Sequence, residues 1–127
     1  LAKSLRAAGA EMEALAAEFL QREGLSILVT NFKSYRGGEI DIVAAEPDGT
    51  LVFVEVKYRS STERGLAQEA VTPRKQKLVC MAADYYRSRF RVSLDTNVRF
   101  DIVAINGSSG NEEITWIRNA FEYTGRG

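Results

Sequence analysis

Two short segments, Gly38-Glu39-Ile40-Asp41-Ile42-Val43 and Phe53-Val54-Glu55-Val56-Lys57, bracket a run of turn residues and leave the middle of this chain few ways to fold. Each arm alternates apolar with charged residues, the period of a strand with two unlike faces. Ile40, Ile42, Val52, Val54 and Val56 are expected on one face, and Glu39, Asp41, Glu55 and Lys57 on the other. Glu46-Pro47-Asp48-Gly49-Thr50 supplies the turn of a β-hairpin. If Ala45 faces Leu51, then Asp41 lies opposite Glu55 and Glu39 lies opposite Lys57. Opposed side chains in an antiparallel pair have Cβ atoms about 4.5–5.5 Å apart, and like charges there are destabilising. Two facing carboxylates therefore require a proton, a cation or a metal ion between them. Lys57, two residues beyond Glu55 on the same face, completes a constellation suited to hydrolysis. The plainer alternative is a solvated sheet face with a Glu39–Lys57 salt bridge, worth about 0–1 kcal/mol.

The chain contains no histidine. That excludes Ser-His-Asp and Cys-His catalysis and any His-ligated metal, leaving carboxylates, Lys, Tyr or a metal held by oxygen. An oxygen-only site suits Mg²⁺ or Mn²⁺. The single cysteine, Cys80, excludes an internal disulfide and sits in an apolar helical stretch, where a buried small hydrophobe is expected. No stretch approaches the roughly 20 apolar residues that span a bilayer, and no secretory leader is visible, so a cytoplasmic protein with no membrane partner is expected. The 17 basic and 17 acidic residues cancel, which argues against bulk attraction to nucleic acid. Their distribution is uneven, however: Lys57 to Arg91 holds nine basic residues against three acidic ones. This stretch is either a solvated face or a surface that tracks phosphates beside the hairpin.

With 127 residues, 45% of them hydrophobic, one domain spanning 1–127 with its own core is expected. Residues from about Ala8 to Arg22 favour a helix, with Met12, Leu15, Ala16, Phe19 and Leu20 as its apolar stripe and Gly24 as its stop. Ser26–Phe32 reads as a strand, Ser34–Gly38 as a loop, and Ser60–Glu69 as a polar, mobile connection. Thr72-Pro73 is a helix start, with Thr72 as N-cap, and that helix runs to about Arg89 with Val79, Ala82, Ala83 and Tyr86 on its apolar side. Arg99–Asn106 and Ile114–Arg118 read as two further strands. Asp101, an acid among apolar neighbours, either joins the site or caps a nearby backbone group. Trp116 and Phe121 are expected to close the core.

Asp41 followed by Glu55-Val56-Lys57 resembles the D…(D/E)-x-K signature of restriction-endonuclease-like nucleases. Gly38–Asp41, Phe53–Arg59 and Arg99–Val103 resemble three blocks of the bacterial YraN family, which is largely uncharacterised and related to archaeal Holliday-junction resolvases. Gly9, Glu13, Ala16, Leu20 and Gly24 sit where that family carries its opening helix, and Trp116–Phe121 fits its endings. The resemblance implies an α/β fold with a restriction-endonuclease-like αβββαβ core, a central mixed sheet flanked by helices. The order of elements read from the sequence agrees with it.

For the site, the resemblance implies Asp41, Glu55 and the Val56 carbonyl as metal ligands, with Glu13 approaching from the opening helix to complete the acidic cluster. Lys57 would orient the attacking water or meet developing charge, and Glu39 would support Lys57 across the hairpin. Arg36, Arg59, Arg74, Lys75 and Gln76 are the candidate phosphate contacts, Lys75 and Gln76 at a helix start that favours anions. The expected activity is a Mg²⁺- or Mn²⁺-dependent endonuclease acting on DNA, including branched or recombining forms. A homodimer would suit two cuts across a two-fold junction. The alternatives are a nuclease acting on RNA, and a catalytically silent nucleic-acid-binding or adaptor protein of the same fold. Retention of Asp41, Glu55 and Lys57 together favours the enzyme.

Overall fold

The computed structural model describes residues 5–61, 65–67, 71–108 and 110–124, with the side chains of the first helix described from Gly9 onward. Helix α1 (Leu5–Arg22) is rich in Ala, Leu, Glu and Met, strong helix formers. It ends in a left-handed turn at Gly24, φ 101°, where Leu25 N–H donates to the Leu20 carbonyl and Gly24 N–H to that of Gln21. This Schellman arrangement satisfies the last carbonyls of the helix. Strands β1 (Ser26–Lys33), β2 (Glu39–Ala45) and β3 (Leu51–Arg59) follow, then helix α2 (Pro73–Arg89) and strands β4 (Val98–Asn106) and β5 (Glu113–Phe121). Thr72 caps α2 as expected, its side chain accepting from Lys75 N–H, with Pro73 in the first turn. Of the connection read from Ser60 to Glu69, residues 62–64 and 68–69 lie outside the described residues.

The strands form one mixed sheet in sequence order, antiparallel except where β3 and β4 run parallel across the α2 crossover. Two helices and this sheet make the α/β architecture of a restriction-endonuclease-like core. Each face buries its own core. Under α2 lie Ile40, Val43, Phe53, Val79, Phe100 and Ile102. Under α1 lie Met12, Ala16, Leu20, Ile42, Val54 and Val103. Cys80 is fully buried as a free thiol in the α2-side core, and Phe121 is buried there too, while Trp116 is only partly buried, against the α1-side core. Among the described residues no helix is long and apolar enough to cross a membrane.

The hairpin register is the one read from the sequence: Ala45 faces Leu51 and Ile42 faces Val54. Three expectations need correction. The β2–β3 ladder ends at Ile42 and Val54, so neither Asp41 with Glu55 nor Glu39 with Lys57 forms a register pair, and Glu39 is paired with Lys33 of β1. Ile40 does not share a face with Ile42; it turns to the α2 side, as does its register partner Phe32. Beside Asp41, Asn31 of β1 adopts φ 53°, in the left-handed region, which interrupts the strict alternation of β1.

Asp101 is fully buried on β4 and is a structural clasp. Arg99 Nε donates to both of its oxygens at 2.9 and 3.1 Å, Trp116 Nε1 donates at 2.9 Å, and the Asn119 N–H donates at 2.8 Å. Arg99 also meets Glu46 at 2.8 Å. The clasp sits where the β4–β5 register shifts between Phe100 and Ile102 and where Asn119 takes φ 51°. Capping of a backbone group, one of the two roles open from the sequence, is therefore present. Asp101→Ala should destabilise the fold by about 3 kcal/mol, because it strips a buried carboxylate from donors that remain buried. Urea denaturation checks this, with an unchanged m-value expected.

Candidate functional site

The site forms where β2 parts from β3. Beyond the Ile42–Val54 pair, Asp41 Oδ2 accepts the Val56 N–H at 2.8 Å, so a side chain takes the place of the next strand-to-strand bond. Alternation along β3 puts Glu55 and Lys57 on the same face as Phe53, the α2 side. The start of α2 then carries Lys75 to Glu55, with Nζ 3.4 Å from Oε1. On the other side of the sheet, Glu13 projects from α1 into the charge fields of Asp41 and Glu39, with the Asn31 side chain as a hydrogen-bonding neighbour.

Glu55 is the most constrained group in this cluster. It is 1% exposed, and neither of its oxygens makes a hydrogen bond among the described residues. Burial pushes its carboxyl up to about 9, helped by the Asp41 charge and by the readiness of Asp41 to accept from Glu55 once it is protonated, while Lys75 and Lys57 pull the other way. Glu13 is also raised, first by burial and then by Asp41, with Asn31 opposing and Glu39 adding to the rise. Its Oε1 is buried without a donor. Three buried carboxylate oxygens thus lack hydrogen bonds among the described residues, a condition that native structures rarely leave without a reason.

The donor chemistry fits a hard divalent ion: Asp41 and Glu55 supply carboxylates, and the strand between Glu55 and Lys57 offers the Val56 carbonyl. Among the described residues no group of three acidic or sulfur side chains forms a ready-made metal cage. An ion here would therefore rest on few protein ligands, as is usual for Mg²⁺, which keeps waters and takes phosphate oxygens.

The sequence candidates divide in space. Asp41, Glu55, Lys57, Glu13 and Glu39 come within electrostatic reach of one another in overlapping pairs. Lys75, expected only as a phosphate contact, joins them through Glu55. Gln76 donates to the Val71 carbonyl, Arg74 is exposed at the head of α2, and Arg59 ends β3 with its carbonyl accepting from Gly107. Arg36 lies on the loop before β2, its guanidinium over the Tyr35 ring. Asn31 was not read from the sequence as part of the site. Its only signal was an asparagine within a strand-forming run, the residue type that best tolerates a left-handed backbone after glycine.

The fold and cluster together define a restriction-endonuclease-like α/β protein with an acid–lysine constellation at the fork of its sheet. The family model for "Uncharacterised protein family UPF0102" matches residues 12–105, and the chain belongs to that family, the YraN family. A UPF0102 protein of Francisella tularensis subsp. tularensis is 44% identical over 113 residues, covering 89% of this chain and 92% of the relative. One from Lachnoclostridium phytofermentans is 44% identical over 117 residues, covering 92% and 94%. One from Pseudomonas syringae pv. syringae is 41% identical over 116 residues, covering 91% and 93%.

The raised Glu55 carboxyl has a consequence for stability. Above the ordinary glutamate value of 4.5 the unfolded chain releases this proton, while the folded chain holds it until about 9. The folded state therefore binds more protons across that window, and stability falls as pH rises through it. Metal-free protein should melt at lower temperature at about pH 8 than at about pH 6. Glu55→Gln should flatten that fall and melt higher than the parent at the upper pH, read by thermal denaturation in a chelating buffer.

Proposed function

We propose that the chain is a Mg²⁺- or Mn²⁺-dependent endonuclease that hydrolyses phosphodiester bonds of DNA, branched or recombining forms included. The observation that supports this most is the buried Glu55 carboxylate beside Asp41, its oxygens without hydrogen-bond donors and lysines on both sides. Such a group is costly for folding alone and is the kind of group that functional sites keep. Asp41, Glu55 and the Val56 carbonyl are the ligands for the ion, with Glu13 beside them. When bound, the ion neutralises phosphate charge and lowers the pKa of a coordinated water. Lys57 holds its ammonium beside Glu55, where it orients the nucleophile or meets charge that develops on the phosphoryl oxygens. Lys75, Arg74, Arg36 and Arg59 meet the flanking phosphates, while Gln76 fixes the head of α2 through Val71.

A second reading has its own observation. The Lys75 ammonium already lies 3.4 Å from Glu55, so the carboxylate is partly neutralised with no metal. This favours a silent nucleic-acid-binding or adaptor protein that retains the fold. Metal titration separates the two. Under the nuclease reading, Mn²⁺ raises the melting temperature by binding the folded state alone, and Asp41→Asn loses most of that gain without lowering metal-free stability. No heat of Mn²⁺ binding by calorimetry would favour the silent protein.

Cleavage gives the second test. Purified protein with Mn²⁺ should cut at least one of four-way DNA, flapped DNA, linear duplex or RNA. Lys57→Ala should lower cleavage about 10²–10³-fold with far less effect on binding, because its charge is matched to the transition state. Binding with no cleavage of any of these substrates would favour the silent protein.

A further inference from the structure

The loop between β1 and β2 carries an aromatic surface that the hydrolytic cluster does not use. Tyr35 is 74% exposed. Its ring meets Tyr85 edge-on, with centroids 5.0 Å apart, and Tyr85 in turn stacks on Phe32. Arg36 lies 5.8 Å from the Tyr35 ring centre and donates from Nε to its hydroxyl. Between Tyr35 and α2 runs a groove of about 280 Å³, lined also by Met81, Asp84 and Ser88.

Two features tie this groove to the acids. Gly38, φ 87°, has no room for a side chain, because a Cβ there would lie 2.5 Å from the Leu78 carbonyl oxygen of α2. The loop is thus seated on α2, and Asp41 follows Gly38 by three residues. At the head of α2, Lys75 reaches Glu55. Met81 lies six residues further along the helix, about 9 Å by the helical rise. Exposed Lys77 stands on the intervening stretch, and exposed Arg74 adjoins Lys75. From the carboxylates outward, then, the surface presents cations first and aromatic rings next. That is the order a nucleic-acid strand needs, phosphate against charge and base against ring.

We infer that the groove lined by Tyr35, Tyr85 and Met81 receives an unpaired nucleobase from the strand whose phosphodiester lies at Asp41, Glu55 and Lys57, so that the preferred substrate is single-stranded beside the point of attack. The inference rests on the nuclease reading and narrows its substrate. A base inside a duplex has both π-faces covered by its neighbours and cannot enter. An unpaired base exposes a face to Tyr35 and an edge to Asp84 and Ser88, while Arg36 meets the adjoining phosphate. Stacking of this kind is largely indifferent to base identity, so the groove selects strand state rather than sequence.

The test uses the full chain in chelating buffer, so that nothing is cut. One probe is a duplex with a single-stranded tail containing 2-aminopurine, and the other is a blunt duplex of equal length. The tail fluorescence should be quenched on binding. Tyr35→Ala should abolish the quench and weaken binding of the tailed probe roughly tenfold. It should leave the blunt duplex within about twofold of the parent, and Tyr35→Phe should retain both the quench and the affinity. An unchanged melting temperature for Tyr35→Ala excludes misfolding. Unaltered tailed binding in Tyr35→Ala, the result expected if the groove serves a protein partner, overturns the inference and leaves the nuclease reading standing. Equal weakening of both probes overturns it as well. Failure of the parent to bind either probe removes the nuclease reading and this inference with it.

Discussion

The bond from the Val56 N–H to Asp41 Oδ2 decides how the central hairpin ends. An unpaired backbone donor in a buried strand is expensive, so two strands cannot simply part inside a protein. Here a carboxylate accepts the donor that the neighbouring strand no longer meets. The fork can open, and the acid that permits it stands at the opening. One Asp41 oxygen is committed to the backbone, and the same carboxylate raises the Glu55 carboxyl beside it. Glu55 and Lys57 are placed by alternation on the adjacent strand, and Glu13 and Lys75 reach the same point from opposite layers.

The site concentrates electrostatic conflict: among the described residues, the buried side-chain oxygens without a hydrogen-bond partner all belong to Glu13 and Glu55. On β4 buried charge is answered: Asp101 accepts from Arg99, Trp116 and the Asn119 N–H, and Arg99 is shared between Asp101 and Glu46. At Glu55 the compensation is incomplete, with a lysine close by but no hydrogen bond formed. Both are buried acids on neighbouring, parallel-paired strands, two positions that differ in whether local chemistry closes the shell. A shell closed by donors stabilises; a shell left open costs stability, which is the mark of sites kept for function rather than folding.

The strongest sequence signals were those with strict periods. Alternation along Leu51–Lys57 and the turn at Asp48-Gly49 determine the hairpin register, and Thr72-Pro73 marks the start of α2. Local patterns of that kind carry their own geometry. The face reversal at Ile40 was not legible, because alternation rules assume extended backbone throughout, whereas the neighbouring strand carries left-handed Asn31 beside it. The contact of Lys75 with Glu55 was equally hidden. Its sequence position predicts an anion at the helix start, but not that the first anion it meets is one of the protein's own. The role of Asp101 depended on Trp116 and Asn119, residues 15 and 18 positions away in the chain.

Both outer strands of the sheet share one peculiarity. The β1 edge shifts register between Ile27 and Val29 and carries left-handed Asn31; the β5 edge is paired through a register shift and carries left-handed Asn119. A regular, flat edge offers an unbroken row of donors and acceptors to any passing strand, whereas an edge interrupted in this way cannot be copied by a straight neighbour. The sheet is therefore poorly suited to growth at either margin. Any association of two such chains about a two-fold axis would have to be made through helices, loops or a shared substrate, not by continuing the sheet from one molecule into the next.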